Sequence, residues 1–187
     1  MEITPAFSST LVDLRPLTAD DLPALEAYLN HPELTGRRCI PWDFPNEVPL
    51  SQGQVEGIHK KWEEKKKGFV LGVVDQETKK LIGHVEADWG WDPQNPDLSL
   101  AIAPSHQRQG FGAETLRLAL TYLFEHTPAH NVSGGFSDWN EAARDFAAKH
   151  GFTECGLVRR DGIRNGDFFD TVIVDLLRPE WKALQGG

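Results

Sequence analysis

The stretch that decides the fold is Ile102-Ala103-Pro104-Ser105-His106-Gln107-Arg108-Gln109-Gly110-Phe111-Gly112-Ala113. An apolar run ends, a polar loop follows, and two glycines open a segment in which Ala113, Leu116, Leu120, Leu123 and Phe124 recur at helical spacing. This reads as strand, loop, helix. Glycine lets the backbone approach a ligand with no Cβ in the way. The unpaired N–H groups of a helix start, with the positive end of the dipole behind them, form a cradle for a diphosphate. Gln107 and Arg108 can add side-chain donors. The same two glycines also suit tight packing at a helix start, and on their own they leave both readings open. Two other phosphate loops fit poorly. Thr115 stands where a dinucleotide fingerprint has its third Gly, and no Lys-Ser/Thr pair follows as in a P-loop.

Upstream, Leu98, Leu100 and Ile102 alternate with smaller or polar residues, a strand over 97–103 reached through a Pro-containing loop over 90–96. Strands are expected at 69–74 and 81–89, joined by the polar turn Asp75-Gln76-Glu77-Thr78. Val55, Ile58 and Trp62 mark a helix whose other face is charged from Lys60 to Lys67; Lys65-Lys66-Lys67 reads as its solvated last turn, where cations suit the helix dipole. Residues 32–53, with four prolines, read as a long loop around Arg37-Arg38-Cys39-Ile40-Pro41-Trp42. Before it, a short strand at 12–15 precedes a helix introduced by Thr18 and Asp21, carried by Leu22, Leu25 and Leu29, and stopped by Pro32. Downstream come a strand at 131–137, a helix over 139–150 capped by Asp138 and stopped at Gly151, and two strands at 154–163 and 168–176 around an Asn165-Gly166 hairpin turn. Residues 1–9 and 185–187 read as loose ends. The pattern is one mixed α/β domain over 10–181.

The 187 residues, 40% hydrophobic and 25% charged, suit one globular domain. Nineteen Lys+Arg against 28 Asp+Glu give a net charge of -9, which argues against a surface built for nucleic acid and suits a cationic partner. Cys39 and Cys155 lie far apart with no CxxC pair, so neither a disulfide framework nor a structural zinc cluster is expected. His126 and His130 are separated by the helix-breaking Pro128, and no metal site is expected. No apolar run approaches the roughly 18 residues of a membrane span, and the N-terminus does not read as a signal peptide. A cytoplasmic location is expected, with no membrane partner; monomer and homodimer both stay open.

Gln107-Arg108-Gln109-Gly110-Phe111-Gly112 resembles the Q/R-x-x-G-x-G/A motif of the GNAT superfamily of N-acetyltransferases. Asn140-Glu141-Ala142-Ala143, followed by Lys149-His150-Gly151-Phe152 and Gly156, resembles the second cofactor segment of that family. The finish Leu157-Val158-Arg159-Arg160 … Glu180-Trp181 is similar to the Rim-type branch, which acetylates protein N-termini such as those of ribosomal proteins. The resemblance is good over 69–181 and loose before it. It implies a central, mostly antiparallel mixed sheet flanked by helices, with acetyl-CoA as co-substrate. It implies cofactor contacts at Ile102, Ala103, Gln107, Arg108, Gln109, Gly110, Phe111, Gly112, Ala113, Asn140, Ala143 and Lys149. Asn140 can equally satisfy backbone groups at its own helix start.

In that family the acceptor amine attacks the thioester directly. The ammonium must then lose a proton, from a pKa of about 10.4 for a lysine amine or about 8 for an α-amine, and the carbonyl needs a donor for its developing oxyanion. On the strand 81–89, His84, Glu86 and Asp88 share one face by alternation. Glu86 is the first candidate for the base and Asp88 the second; the alternative is a solvent-exposed face whose charges do nothing. A backbone N–H near Ile102 or Ala103 is the expected oxyanion donor. The usual thiolate acids are absent, with Ala147 where many relatives place a tyrosine and Ala143 where some carry a serine; Ser137 and Tyr122 are candidates to stand in, and so is a water. A protein N-terminal amine is the leading acceptor by resemblance to the Rim-type branch. The alternatives are a small polyamine or aminoglycoside-like amine, which suits the acidic charge, and a non-catalytic acyl-CoA-binding module.

Overall fold

The computed structural model describes residues 4–34, 48–90 and 92–186. Arg37, Arg38, Cys39, Ile40, Pro41, Trp42, Phe44 and Trp91 lie outside the described residues. The fold is the mixed α/β one expected, with eight mostly antiparallel strands and five helices among the described residues. The chain divides into two compact units, Met1–Asp88 with Ser99–Thr121, and Trp89–Leu98 with Tyr122–Gly187.

In the first unit, β1 (Phe7–Ser8), β2 (Val12–Arg15), β3 (Gly68–Asp75) and β4 (Leu81–Asp88) pair in that order, all antiparallel. Helices α1 (Leu22–Leu29) and α2 (Gln52–Glu63) carry the apolar stripes read from the sequence. Leu25, Leu29, Val55 and Ile58 pack with Leu81 and Tyr28 in one core cluster, each such aliphatic side chain contributing about 1.5–3 kcal/mol by leaving water. A reciprocal box starts α2: the Ser51 N–H donates to Gln54 Oε1 at 2.8 Å, and the Gln54 N–H donates back to Ser51 Oγ at 3.4 Å. The Asn30 side chain clamps Leu50, donating to its carbonyl at 2.8 Å and accepting from its N–H at 2.7 Å.

Two details depart from the sequence reading. Helix α2 stops at Glu63 rather than Lys67. Beyond it Lys65 turns inward, and Gly68 (φ +135°) passes so close to β4 that a Cβ there would lie 2.0 Å from the Ala87 carbonyl oxygen; only glycine fits. Strand β4 is buried on both faces from Leu81 to Ala87, because α1 and α2 cover the side that alternation alone left ambiguous.

In the second unit, Asp97 at the start of β5 (Asp97–Ile102) pairs in parallel with Ser133 of β6 (Asn131–Ser137). Strand β8 (Asp167–Leu177) pairs antiparallel with β6 on one side and with β7 (Thr153–Arg164) on the other. The hairpin turn is of the kind Asn-Gly predicts, with Asn165 at φ +53° and Gly166 at φ +87°. Helix α4 (Glu141–Lys149) takes Asn140 as its N-cap, not Asp138, whose N–H donates instead to the Asp170 carbonyl at 2.8 Å. A helix the sequence reading missed, α5 (Arg178–Gln185), follows β8 directly. Its Trp181 is buried against Phe124 of α3 (Phe111–His126), ring centroids 5.3 Å apart. No helix among the described residues is long and apolar enough to cross a membrane.

Candidate active site

The loop between β5 and α3 has the backbone a phosphate cradle needs. Arg108 (φ +60°) and Gly110 (φ +91°) both sit in the left-handed region, which for a bulky residue such as Arg108 costs on the order of 1–2 kcal/mol. Two side chains hold the strained turn: Gln107 Nε2 donates to the Ile102 carbonyl at 2.8 Å, and Gln109 Nε2 donates to the Ser105 carbonyl at 2.9 Å. The Gly110 carbonyl accepts the first helical bond, from Glu114 N–H at 3.0 Å. The N–H groups of Phe111, Gly112 and Ala113 are therefore helix-start donors without an intrahelical acceptor. Phe111 is buried and anchors the helix start edge-on to His106, 5.9 Å between centroids, while Arg108, Gln109 and Gly110 are exposed. Gln107 thus works as a brace for the turn, a role its residue type alone did not disclose. The left-handed turn and the helix-start N–H groups without an intrahelical acceptor fit a bound diphosphate.

Of the two expected oxyanion donors, the Ala103 N–H already donates to the Ile82 carbonyl at 2.7 Å. This ties the end of β5 to β4 within the first unit.

The acidic face of β4 is not solvated. His84 is fully buried; its Nδ1 lies 2.8 Å from the Tyr28 hydroxyl, and its ring is 4.9 Å from that of Trp62. Glu86 is 4% exposed and Asp88 half-buried. Lys65, from the α2–β3 connection, brings these two carboxylates together: its ammonium donates to Glu86 Oε1 at 2.7 Å and also to Asp88 Oδ2. Burial works against the charge on Lys65, but the hydrogen bonds to Asp88 and Glu86 and the charges of both outweigh it, so its pKa is raised above the ordinary lysine value. The other Glu86 oxygen, Oε2, is buried without a hydrogen-bond partner. Reading Lys65-Lys66-Lys67 as a wholly solvated turn is thus corrected: Lys66 and Lys67 are exposed, whereas the Lys65 side chain is 14% exposed.

The second cofactor segment lies in the other unit. Asn140 Oδ1 accepts from the Ala143 N–H at 3.3 Å, capping α4. Lys149 is the exposed last residue of that helix, and Ala147 is buried against Val172 and Val174. The two stand-in thiolate acids sit in ordinary surroundings: Ser137 ends β6 and its carbonyl accepts from Asn140 N–H at 2.8 Å, and the Tyr122 ring stacks on His126.

A family profile describing an acetyltransferase (GNAT) domain matches residues 12–153. An uncharacterized N-acetyltransferase of Bacillus subtilis (strain 168), YoaA, is 24% identical over 179 residues, 94% of this chain and 98% of that protein. Among solved structures, a GCN5-related N-acetyltransferase from Brucella melitensis superposes with a TM-score of 0.80 at 21% identity, covering 96% of this chain and 81% of that one. The spermidine N-acetyltransferase from Vibrio cholerae in complex with CoA and spermine gives 0.76 at 23% identity, covering 93% and 99%. At such identities the structural likeness speaks for the fold. The profile supports the family without singling out the Rim-type branch anticipated from residues 157–181. Matched over most of its length, the chain belongs to the GNAT family of acetyltransferases, enzymes that take their acetyl group from acetyl-CoA.

Proposed function

We propose that this protein transfers an acetyl group from acetyl-CoA to a primary amine of a small polyamine-like cation, by direct attack of the amine on the thioester. The observation that carries the reading is the Glu86–Lys65–Asp88 arrangement. It joins a buried carboxylate, Glu86, and a half-buried one, Asp88, around one alkylammonium, and keeps a second Glu86 oxygen without a partner. The net charge of -9 suits a cationic acceptor, and a structural neighbour was solved with CoA and spermine. These observations favour a small amine over the protein N-terminus suggested by the Rim-type resemblance.

In this reading the N–H groups of Phe111, Gly112 and Ala113, with Arg108 beside them, hold the diphosphate. The acetyl donor supplies an activated carbonyl. Glu86, with Asp88 as the second choice, takes a proton from the acceptor ammonium directly or through one water, since the neutral amine is the nucleophile. The ligand-free chain offers no strong thiolate acid, which a thiol leaving group of pKa about 8.5 tolerates.

The test is turnover followed by thiol release, with acetyl-CoA against spermidine, spermine and a panel of N-terminal peptides. Acetylation of the polyamines and not the peptides is expected. Peptide acetylation alone would return the N-terminal reading, and CoA binding with no turnover on any amine would point to an acyl-CoA-binding module. Glu86→Gln is expected to lower kcat/KM about a hundredfold or more, the usual scale of general-base catalysis; a variant as active as the wild type would remove Glu86 from the role.

A further inference from the structure

We propose that Lys65 is a positioning residue for catalysis: its ammonium splints Glu86 to Asp88, compensates the charge of the buried Glu86, and leaves Oε2 as the oxygen for the acceptor. The inference deepens the proposed function and rests on Glu86 acting there as the base. A carboxylate as enclosed as Glu86, 4% exposed, is costly to hold charged unless a cation pairs with it. Lys65 supplies that cation at 2.7 Å to Oε1. Because Oε1 is engaged and Asp88 shares the same ammonium, the Glu86 side chain is fixed and Oε2 is its remaining acceptor.

Among the described residues, the titratable and charged groups on the elements packed about β4 are these. On β4 they are His84 and Asp88; opposite on β3 stands the apolar Val70. From α1 comes Tyr28, bonded to His84, and from α2 the buried His59, which lies 3.6 Å from the exposed Glu63. Residues 99–102 of β5 bring no ionisable side chain. Lys65 is the cation bonded to Glu86. The connection that delivers it is held by the tight passage of Gly68, whose Cβ would also meet Lys65 Cε at 2.8 Å.

Two neighbouring variants test the splint. Lys65→Met keeps the length of the side chain and removes the charge; Lys65→Arg keeps a charge. Without the cation, a charge at the buried Glu86 is left uncompensated. That costs the folded chain most where carboxylates are ionised and least at low pH. Thermal melts from pH 4.5 to 8 should therefore show the Tm deficit of Lys65→Met growing with pH. Adding Glu86→Gln to the same chain should flatten that dependence, and Lys65→Arg should follow the wild type. This arm needs no acceptor. In the second arm, the acid limb of kcat/KM for acetyl-CoA and spermidine should move up by about one pH unit or more in Lys65→Met, the scale of losing an adjacent opposite charge, and return with Lys65→Arg.

A pH-independent Tm deficit in Lys65→Met would overturn the splint, because a purely packing role gives that result. So would an unmoved acid limb in an enzyme that Glu86→Gln inactivates. Full activity of Glu86→Gln is a different failure. It removes the base reading, and the melts still decide whether Lys65 holds the charge.

Discussion

Helices α3 and α4 begin in opposite ways. The start of α3 is shaped by backbone: Arg108 and Gly110 take the left-handed region, two glutamine side chains brace the turn, and the first N–H groups have no intrahelical acceptor. The start of α4 is closed by a side chain, Asn140 Oδ1 accepting from Ala143 N–H. Both segments resemble cofactor contacts of one family, yet Asn140 caps the second with its own side chain, whereas the first is opened by a left-handed backbone turn. The lesson is that an anion site at a helix start is recognised by what the helix declines to do for itself. An Asn, Ser or Asp at the cap satisfies the donors locally; a strained loop with glycine does not.

The largest effect expected from breaking this contrast is at Gly110. Gly110→Glu places a Cβ-bearing residue at φ +91° and a carboxylate beside the diphosphate. CoA affinity, measured by calorimetry, should fall by about five- to thirtyfold as the free loop relaxes to relieve about 1–2 kcal/mol of strain, and further from like charge. Unchanged affinity would separate the loop from CoA binding. Next is Asn140→Ala, which removes a cap worth about 1 kcal/mol, or about 2–4 °C in Tm for a chain of this size. If α4 also contacts the cofactor, as the resemblance implies, CoA binding weakens along with Tm; a change in Tm alone would make Asn140 a cap and nothing more.

Arg108→Gly sharpens the comparison more quietly. Relief of about 1–2 kcal/mol of left-handed strain roughly offsets the about 0.5–1 kcal/mol that glycine loses in chain entropy. Tm should stay nearly level while CoA binding weakens and becomes less sensitive to salt, since a cation near the phosphates is gone. The smallest effect is at the far end of α4. Burial first, and then the neighbouring Lys149 charge, lower the His150 pKa below its ordinary value. The unfolded chain therefore binds this proton more readily, and the stability tied to neutral His150 is complete above pH about 6.5 and lost as pH falls toward the folded-state value. A His150→Asn chain should show a shallower Tm decline between pH 7 and 5 than the wild type.

Much of the architecture was legible because local chemistry and global fold agree in it. The Asn165-Gly166 step specifies a turn that few other pairs allow, and the stripe from Ala113 to Phe124 can only be a helix with one buried side. The turn before α3 was legible for the same reason, since its glycines mark the backbone itself. The acidic face of β4 was half legible. Alternation put His84, Glu86 and Asp88 on one side, but whether that side meets water depends on α1 and α2, whose packing no local pattern encodes. Lys65 was misread because a lysine run is ordinarily solvated; the sign that it turns inward is Gly68, three residues on, and its meaning needs the Ala87 carbonyl in place. Helix α5 escaped because Arg178 and Pro179 follow β8 with no intervening turn.

The Asn30 side chain holds both backbone groups of Leu50 with one amide. Residues 30 and 50 are therefore welded together, whatever the chain length between them. Lengthening a segment whose ends are joined in this way costs only about 0.6 kcal/mol per doubling, so an insertion there leaves the packing of α1 on α2 thermodynamically almost untouched.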